Sequence, residues 1–292
     1  MRVRVMDTAD LGRVWGEEWV DHSRRPYVDG DRALVPVREG YAADTTIPKR
    51  ASPDIRGYQM LGDVAVVRGR PPTPEEIAGI VHRRDPRGIV HIAAVGGVCR
   101  EPHARLVWGT AGEVCHREEG YVYHLDPMAV MFSQANREEK CRLAHLVRRS
   151  PREERIADMF AGIGYFTIPL AGAGARVHAM EINPVAYRYL VRNLAENGLG
   201  SRVRTVPGDC RDHLDGIYDR VVMGHFHAVD MLPAVFSHVE AGSVVHVHSI
   251  GDESSRIRES AMDAGLGAAV TVRRVKKYAP GRWHMVQDVV IS

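Results

Sequence analysis

The chain has 292 residues, of which 45% are hydrophobic and 26% are charged, and its formal net charge is +2. This length allows a full core and two domains, and the near-balanced charge excludes a general polyanion binder. No apolar run approaches the roughly 20 residues that cross a bilayer, and no signal-peptide segment follows Met1, so we expect a cytoplasmic protein with no membrane partner.

Four cysteines lie far apart in the chain, and no two have the Cys-x-x-Cys spacing of zinc or redox sites. We therefore predict reduced thiols, most of them packing residues, and no bound metal. They are Cys99, Cys115, Cys141 and Cys210. Basic residues form several short clusters, for example Arg273-Arg274. Each cluster alone is typical of a solvated face, whereas several together suit a modest RNA footprint.

The first half of the chain predicts a small α+β domain and little before it. Residues 1–55 are rich in Arg, Asp, Gly and Pro and indicate no particular fold. Residues 56–135 predict strands at 61–67, 89–95, 106–108 and 121–125, with a helix at 75–83 that begins at Thr73 or Pro74. A charged amphipathic helix, 136–149, follows as the connector within residues 136–150.

Residues 151–292 alternate strands and helices, which predicts a parallel, doubly wound sheet. The strands are expected at 155–160, 176–180, 203–206, 220–223 and 243–248. Asn183 and Pro184 predict the start of a helix that ends near Gly198. Runs 269–275 and 284–291 have a connection short enough for an antiparallel hairpin that closes the sheet.

The loop after the first of these strands indicates a nucleoside site. Asp158 ends an apolar run, and Gly162 and Gly164 follow it, so the backbone can approach a ligand closely. Thr167 stands where the phosphate-cradling Gly-x-Gly-x-x-Gly has its third glycine. A nucleoside without phosphates therefore fits better than a dinucleotide, and S-adenosylmethionine is the obvious one.

The next strands add acceptors at the same edge, because ligands of open α/β sheets bind at the carboxyl ends of the strands. Glu181 is placed to accept the two ribose hydroxyls. The carboxylate of Asp209 could take the adenine amino group, with the N–H of Cys210 beside it.

The fourth strand ends in Gly224-His225-Phe226-His227. Amino- and base-methylating enzymes of this fold often carry Asn-Pro-Pro-Tyr or Asn-Leu-Pro there, so the methyl-transfer clamp is absent or differently built. His225 and His227, and His246 and His248 on the fifth strand, form two His-x-His pairs, and residues so spaced in a strand share a face. Ordinary buried histidines are favoured over a metal site, and one of the four could position a proton acceptor.

These residues resemble those of the archaeal wybutosine-synthesis aminocarboxypropyltransferases, which are related to the tRNA guanine N1-methyltransferases. The resemblance covers about residues 58–292 and rests on segments 131–140, 158–169, 181–184, 208–211, 219–224 and 245–248. The Phe-Ser-x-x-Asn-x-x-x-Lys form and the Met-Gly-His-Phe-His segment look like those of the aminocarboxypropyltransferases rather than those of the methyltransferases. The resemblance implies a Rossmann-like class I S-adenosylmethionine-dependent transferase fold, a seven-stranded mixed sheet preceded by a smaller α+β domain.

The resemblance further implies the reaction and its residues. The 3-amino-3-carboxypropyl group of S-adenosylmethionine would pass to 4-demethylwyosine in tRNA(Phe), with methylthioadenosine as the other product, and a monomer is favoured. Ser133 and Lys140 would help to hold the cofactor. From its charge alone, Lys140 could pair with the methionine carboxylate. The other implied cofactor contacts are Asp158, Phe160, Gly162, Gly164, Glu181, Ile182, Asp209, Cys210 and Gly224, and the candidate catalytic residues are His225 and His227.

The chain departs from the family pattern at two positions. Cys210 stands where relatives commonly have Asn, so a backbone contact with adenine survives but a side-chain contact does not. His225 stands where relatives often have Tyr. Two alternatives stay open at this point, a tRNA guanine N1-methyltransferase and a non-catalytic tRNA-binding protein with a relic cofactor pocket.

Overall fold

The computed structural model describes residues 2–14, 16–22, 26–47, 57–132, 136–279 and 281–292. The chain divides into two compact units, Met1–Arg56 with Pro74–Arg83, and Gly57–Thr73 with Arg84–Ser292. Within the described ranges, no helix has the length and apolar character needed to cross a membrane.

The first unit is built on a four-stranded antiparallel sheet in the order β2-β3-β1-β4. Its elements are β1 (Arg2–Asp7), α1 (Leu11–Val14), β2 (Tyr27–Asp29), β3 (Arg32–Pro36), β4 (Thr45–Thr46) and α2 (Pro74–Arg84). Val20, Ala33 and Val35 form its small core. The sequence indicated no fold for residues 1–55, because these strands are short and β1 pairs with residues 25 to 44 positions away along the chain.

The second unit begins with two small sheets. β5 (Gln59–Leu61), β6 (Val64–Arg68), β7 (Gly88–Gly96) and β8 (Glu101–Gly109) pair in chain order, and β9 (Val114–Glu118) pairs with β10 (Tyr121–Leu125). The single strand predicted at 61–67 is wrong, because the chain reverses at Gly62 and Asp63 and makes a hairpin of two strands. β9 was not predicted at all.

The rest of the second unit is a doubly wound domain. Its elements are α3 (Arg137–Arg148), β11 (Arg155–Asp158), α4 (Thr167–Gly172), β12 (Arg176–Glu181), α5 (Pro184–Glu196), β13 (Val203–Pro207), β14 (Arg220–Met223), α6 (Leu232–Phe236), β15 (Val244–Ile250), α7 (Ser254–Asp263), β16 (Ala268–Ala279) and β17 (Arg282–Ile291). The predicted positions of all seven strands are confirmed, with ends that differ by a few residues.

The seven strands lie in the order β13-β12-β11-β14-β15-β17-β16. β11 to β15 are parallel, and β17 runs antiparallel to β15 and β16, so the predicted closing hairpin is confirmed. The strand order reverses between β11 and β14, and such a switch point opens a crevice at the carboxyl ends of the strands. The predicted seven-stranded transferase fold is therefore confirmed.

Both faces of this sheet are covered, which explains why its strands are continuous apolar runs. On β11, Ile156 packs into the core formed with α3, α4 and α5, and its neighbour Ala157 packs into the core formed with α6 and α7. The first of these cores also contains Val66, Val90 and Tyr123 from the small sheets. The small sheets and the large sheet therefore share one core.

The start of α5 follows from its sequence. The side-chain oxygen of Asn183 accepts hydrogen bonds from the backbone N–H groups of Val185 (2.8 Å) and Ala186 (3.2 Å). Pro184 occupies the first helical position, where its missing N–H costs nothing. The Asn183 amide also donates to the carbonyl of Cys99 (2.9 Å), which ties the turn between β7 and β8 to the carboxyl edge of the sheet.

Candidate active site

Asp158 anchors the loop that follows β11. Its side chain is fully buried and accepts hydrogen bonds from the Thr167 hydroxyl (2.7 Å) and from the backbone N–H of Phe160 (3.4 Å). Burial raises the pKa of Asp158 to about 6, although these hydrogen bonds oppose the rise. Asp158 therefore holds the first turn of α4 against the end of β11, and its burial keeps it from direct contact with a ligand.

Gly162 and Gly164 are needed by the loop itself. Their φ angles are +57° and +105°, which L side chains rarely adopt. A Cβ atom on Gly162 would collide with the Tyr165 ring, and one on Gly164 would lie 2.6 Å from Cδ1 of Ile168. Both glycines thus permit a tight turn packed on its own side chains, and approach to a ligand is a consequence of that turn.

Glu181, at the end of β12, reaches this loop. Its Oε2 accepts from the N–H of Gly162 (2.6 Å), and its Oε1 accepts from the N–H of Asn183 (2.7 Å). Burial raises the pKa of Glu181 against these hydrogen bonds. Two backbone donors fix the carboxylate, and each oxygen keeps a second lone pair for a hydroxyl. The next side chain, Ile182, is exposed and offers an apolar surface beside this carboxylate.

Asp209 and Cys210 follow β13. Asp209 accepts from the backbone N–H of Arg211 (3.0 Å) and from its guanidinium (2.6 Å from Nη2). These bonds lower the pKa of Asp209 to about 2. Arg211 thus occupies much of the acceptor capacity that the sequence assigned to adenine. Cys210 is buried, and burial raises the pKa of its thiol to about 12, so the side chain is a neutral packing group.

The segment after β14 faces the same crevice. A Cβ on Gly224 would lie 3.3 Å from the Phe166 ring. The His225 ring stacks on Phe160, with centroids 5.2 Å apart and planes 25° apart. Burial, reinforced by the charge of Arg100, lowers the pKa of His225 to about 4, so its ring is neutral at pH 7. The two candidate residues from different strands, Phe160 and His225, thus form one flat wall.

The two candidate catalytic histidines differ in which nitrogen is available. Nδ1 of His225 accepts a hydrogen bond from the backbone N–H of His227 (3.2 Å), which places the proton of the neutral His225 ring on Nε2. The His227 side chain is exposed, and its ring nitrogens have no hydrogen-bond partner among the residues that the structure describes. A free lone pair for a proton is therefore on His227.

Arg100 and an aromatic group complete this wall, and the sequence did not point to them. Phe226 packs edge-on against Tyr278 (5.4 Å) and His284 (5.0 Å). The Arg100 guanidinium lies 5.8 Å from the centroid of the Phe226 ring. Its Nε lacks a partner in the described part of the chain, and burial lowers its pKa. A single arginine in a turn carries no sequence signal, because only the β7–β8 hairpin brings it here.

Lys140 occupies a different environment from the one expected. Its side chain is 2% exposed, its ammonium pairs with Glu118 of β9, and it lies 5.2 Å from the Phe132 ring. The charge is thus already neutralised inside the protein, which explains why β9 packs on α3. Ser133 lies outside the described residues.

The histidines of β15 are structural. His246 contacts Asp288 through Nδ1 (2.5 Å) and Arg220 through Nε2 (2.7 Å), and His248 contacts His284 (2.9 Å). Both side chains are buried. Nowhere in the described ranges do three or more His, Cys, Asp or Glu side chains form a group that could hold a metal ion.

The carboxyl edge thus combines a fixed carboxylate for a diol, an exposed apolar side chain, a stacked aromatic wall and an unpaired imidazole. Residues 114–268 match the TRM5/TYW2 methyltransferase domain model, which is more than half of the chain. The chain belongs to the TRM5/TYW2 family. The family resemblance expected from the sequence is therefore confirmed.

Individual members of the TRM5/TYW2 family give finer comparisons. The chain is 37% identical to the tRNA(Phe) (4-demethylwyosine(37)-C(7)) aminocarboxypropyltransferase of Methanocaldococcus jannaschii over 79% of this chain and 96% of that protein. The crystal structure of M. jannaschii TYW2 in complex with AdoMet superposes with a TM-score of 0.64 at 31% identity, covering 81% of this chain and 99% of that one.

A methyltransferase of the family covers more of the fold at lower identity. Sequence comparison with the tRNA (guanine(37)-N(1))-methyltransferase Trm5b of Pyrococcus abyssi gives 29% identity over 80% of this chain and 74% of that protein. Its crystal structure superposes with a TM-score of 0.70 at 23% identity and covers 99% of both chains. The similarity of fold therefore includes the first unit.

Proposed function

We propose that this chain transfers the 3-amino-3-carboxypropyl group of S-adenosylmethionine to C7 of 4-demethylwyosine at position 37 of tRNA(Phe), releasing methylthioadenosine in the cytoplasm. One observation carries the proposal. At the carboxyl edge that holds Glu181, the segment that follows β14 is Gly224-His225-Phe226-His227. That segment has neither the Asn nor the Pro that position a nitrogen for methyl transfer. The aminocarboxypropyltransferase of Methanocaldococcus jannaschii is 37% identical to this chain and is matched over 96% of its length.

The residues of the crevice fit the nucleoside half of S-adenosylmethionine. Glu181 is held by two backbone N–H groups with lone pairs left for both ribose hydroxyls. Ile182 offers an exposed apolar surface for the adenine ring, and the N–H of Cys210 is the better adenine contact because the Asp209 carboxylate is engaged by Arg211. These three contacts would hold the nucleoside half of the cofactor at the carboxyl edge of the sheet.

S-adenosylmethionine supplies a sulfonium with three electrophilic carbons, and its γ-carbon is the one that this reaction uses. The chain selects among them by orientation, since reacting atoms must be aligned for displacement. The wall of Phe160 and His225 gives the flat acceptor base a surface to stack on. Arg100 sits behind Phe226 and keeps that part of the wall in place.

The reaction replaces the hydrogen on C7 by carbon. A C–C bond forms from C7 to the γ-carbon, the γ-carbon–sulfur bond breaks, its electron pair stays on sulfur, and the C7 proton must leave. His227 accepts that proton, because its ring nitrogens are unpaired, whereas Nδ1 of His225 is engaged by the His227 N–H. His225 stacks and stays neutral because burial lowers its pKa.

Two labelled forms of S-adenosylmethionine test the proposal. The full chain is incubated with tRNA(Phe) that carries 4-demethylwyosine, once with a methyl label and once with a carboxyl label. We expect the carboxyl label in tRNA and the methyl label in methylthioadenosine, with mass analysis of nucleosides locating the group on the wyosine precursor.

A second incubation uses tRNA with an unmodified guanosine at position 37. Transfer of the methyl label to that tRNA would establish the N1-methyltransferase instead. If neither label reaches tRNA and calorimetry detects no cofactor binding, the chain is a tRNA-binding protein with a relic pocket.

A further inference from the structure

A cavity of about 300 Å³ lies at the amino edge of the seven-stranded sheet. β11, β12 and β13 begin there, because Arg155, Arg176 and Val203 are their first residues. The candidate active site lies at the opposite ends of the same strands. The polar residues that line the cavity are Arg155, Arg176, His178, Ser201, Arg202 and Arg204.

The wall of this cavity has more positive than negative charge. Arg176 and Arg202 share the carboxylate of Glu153, at 2.7 Å and 3.2 Å. Arg155 and Arg204 likewise share the carboxylate of Asp215. The two carboxylates offset only two of the four guanidinium charges, which leaves a net charge of +2 at the cavity.

Two of these arginines keep most of their hydrogen-bond capacity. A guanidinium has five N–H donors. Within the described ranges, Arg176 uses only Nε and Arg204 only one Nη1 contact, and their side chains are 68% and 63% exposed. Their remaining donors can reach a ligand without breaking the ion pairs that hold the guanidinium groups in place.

His178 adds a buried imidazole ring to the wall. Its side chain is 4% exposed, and its Nε2 has no hydrogen-bond partner among the described residues. The Tyr218 hydroxyl accepts from the N–H of Asp215 (3.1 Å) and lies 2.7 Å from Nδ1 of His178 but 3.4 Å from the Asp215 carboxylate. A buried ring nitrogen without a partner is costly, so His178 is sensitive to a ligand that enters the adjoining cavity.

We propose that this cavity binds a phosphate group, either as free phosphate or as part of an RNA backbone. A phosphate dianion matches the net charge of +2, and its oxygens suit the planar forks of several arginines. Ser201 supplies a further hydroxyl. Glu153 and Asp215 orient the arginines and compete with the ligand. The site is separate from the carboxyl edge and does not depend on the transfer reaction.

The test measures binding of inorganic phosphate and of an unstructured RNA decamer to the full chain at low salt. Three variants are compared with the wild type: Arg176→Gln/Arg204→Gln, Glu153→Gln, and the control Arg87→Gln/Arg256→Gln, which removes two other exposed arginines that are paired with acids. The ring ¹⁵N signals of His178 report on the site directly.

We expect the Arg176→Gln/Arg204→Gln variant to bind phosphate about tenfold more weakly or worse, because charge-assisted hydrogen bonds are lost. Glu153→Gln should bind severalfold more tightly, because it frees Arg176 and Arg202 from a competing anion. The His178 signals should shift with phosphate in the wild type, and the control should bind like the wild type.

A parallel loss of RNA affinity in the Arg176→Gln/Arg204→Gln variant identifies a backbone phosphate as the ligand, and unchanged RNA affinity identifies free phosphate. The proposal fails if wild type and double variant bind phosphate equally, or if Glu153→Gln gains nothing. It also fails if the His178 signals do not move at millimolar phosphate. The Glu153→Gln result decides the matter even if the double variant does not fold.

Discussion

At the amino edge of the seven-stranded sheet, Glu153, Asp215 and Asp219 each bond to arginine side chains. At the carboxyl edge, Asp158 and Glu181 bond to hydroxyl and N–H groups of their own loops. The pKa values of the carboxyl groups at the two edges differ accordingly. Pairing with arginine lowers the pKa of Glu153, and at Asp215 and Asp219 the same pairing lowers the pKa although burial opposes it. At the carboxyl edge, burial raises the pKa of Asp158 and Glu181.

The difference shows that the carboxylates at the two edges of one sheet have different roles. A carboxylate paired with a guanidinium has little capacity left for another partner, while one held by backbone N–H groups is fixed and still accepts hydroxyls. Asp209 is the exception at the carboxyl edge, since Arg211 pairs with it. We therefore expect changes at the carboxyl edge to affect cofactor binding and rate, and loss of the buried ion pair of Glu154 and Arg220 at the amino edge to affect stability.

The largest effect is expected for His227→Gln. Removal of a general base typically lowers the rate by about 10²–10⁴-fold, and kcat in single-turnover assays should fall within that range while cofactor affinity stays the same. His225→Phe is the matched change, because it keeps the ring stacked on Phe160 and removes both nitrogens. It should lower kcat less. A larger loss from His225→Phe than from His227→Gln would reassign the proton acceptor to His225.

Two neighbouring glutamates test the amino edge. Glu154 pairs with Arg220, and both side chains are buried, so Glu154→Ala leaves a buried charge unpaired and should cost about 3–5 kcal/mol in the free energy of unfolding. Glu153→Ala removes an exposed partner and should leave urea denaturation nearly unchanged. Cofactor affinity should be the same in both variants. Similar stability of the two would show that burial of the Glu154 pair has no energetic weight.

Glu181→Ala tests the carboxyl edge. It should weaken S-adenosylmethionine binding by about 1–3 kcal/mol, because the ribose hydroxyls lose their acceptor. Calorimetry measures the affinity, and Asp209→Asn serves as the comparison. Asp209 is engaged by Arg211, so its change should weaken binding less. Unchanged affinity in Glu181→Ala would refute the ribose assignment.

The most gradual effect concerns the pH dependence of stability through Asp158. Its folded pKa of about 6 lies above the usual 3.8, so the folded state binds the proton more tightly than the unfolded state. The contribution of Asp158 is fully present below pH 3.8 and is lost as pH rises to about 6, with a slope of at most about 1.4 kcal/mol per pH unit.

Urea denaturation between pH 4 and 7 measures this slope. Asp158→Asn removes the titrating group and keeps an acceptor for Thr167, so the difference between wild type and variant should change across this window. A constant difference would mean that Asp158 stays ionised in the folded protein.

Local patterns were sufficient for the large sheet and insufficient for the small ones. β14 was predicted residue for residue, because Arg220–Met223 is a buried apolar run between polar segments. The hairpin at Gly62 was missed even though Gly-Asp between two apolar runs is a turn signal, because both runs are short and together have the length of one strand. Residues 1–55 showed no pattern because β2 and β4 have only three and two residues and β1 pairs with distant segments.

In the candidate site, the sequence located the carboxylates but not their partners. Asp158, Glu181 and Asp209 follow strands of one parallel sheet, so their common edge follows from chain order. Lys140 was expected to face a ligand, but it pairs with Glu118 on a strand that was not predicted. Arg211 on Asp209 and Arg100 behind Phe226 also escaped notice, because a lone arginine has no periodicity to reveal its contacts.

The sequence by itself determined the order of strands and helices in residues 151–292, the cap at Asn183 and the edge where the acidic residues and glycines meet. Each of these depends on spacing along the chain, which hydrophobic period and turn chemistry encode. Only the tertiary structure decided which charges are paired, which histidine keeps a free nitrogen and which arginines surround the cavity at the amino edge. Pairing and burial are set by side chains that are remote in sequence, and these contacts fix the pKa values and the available lone pairs.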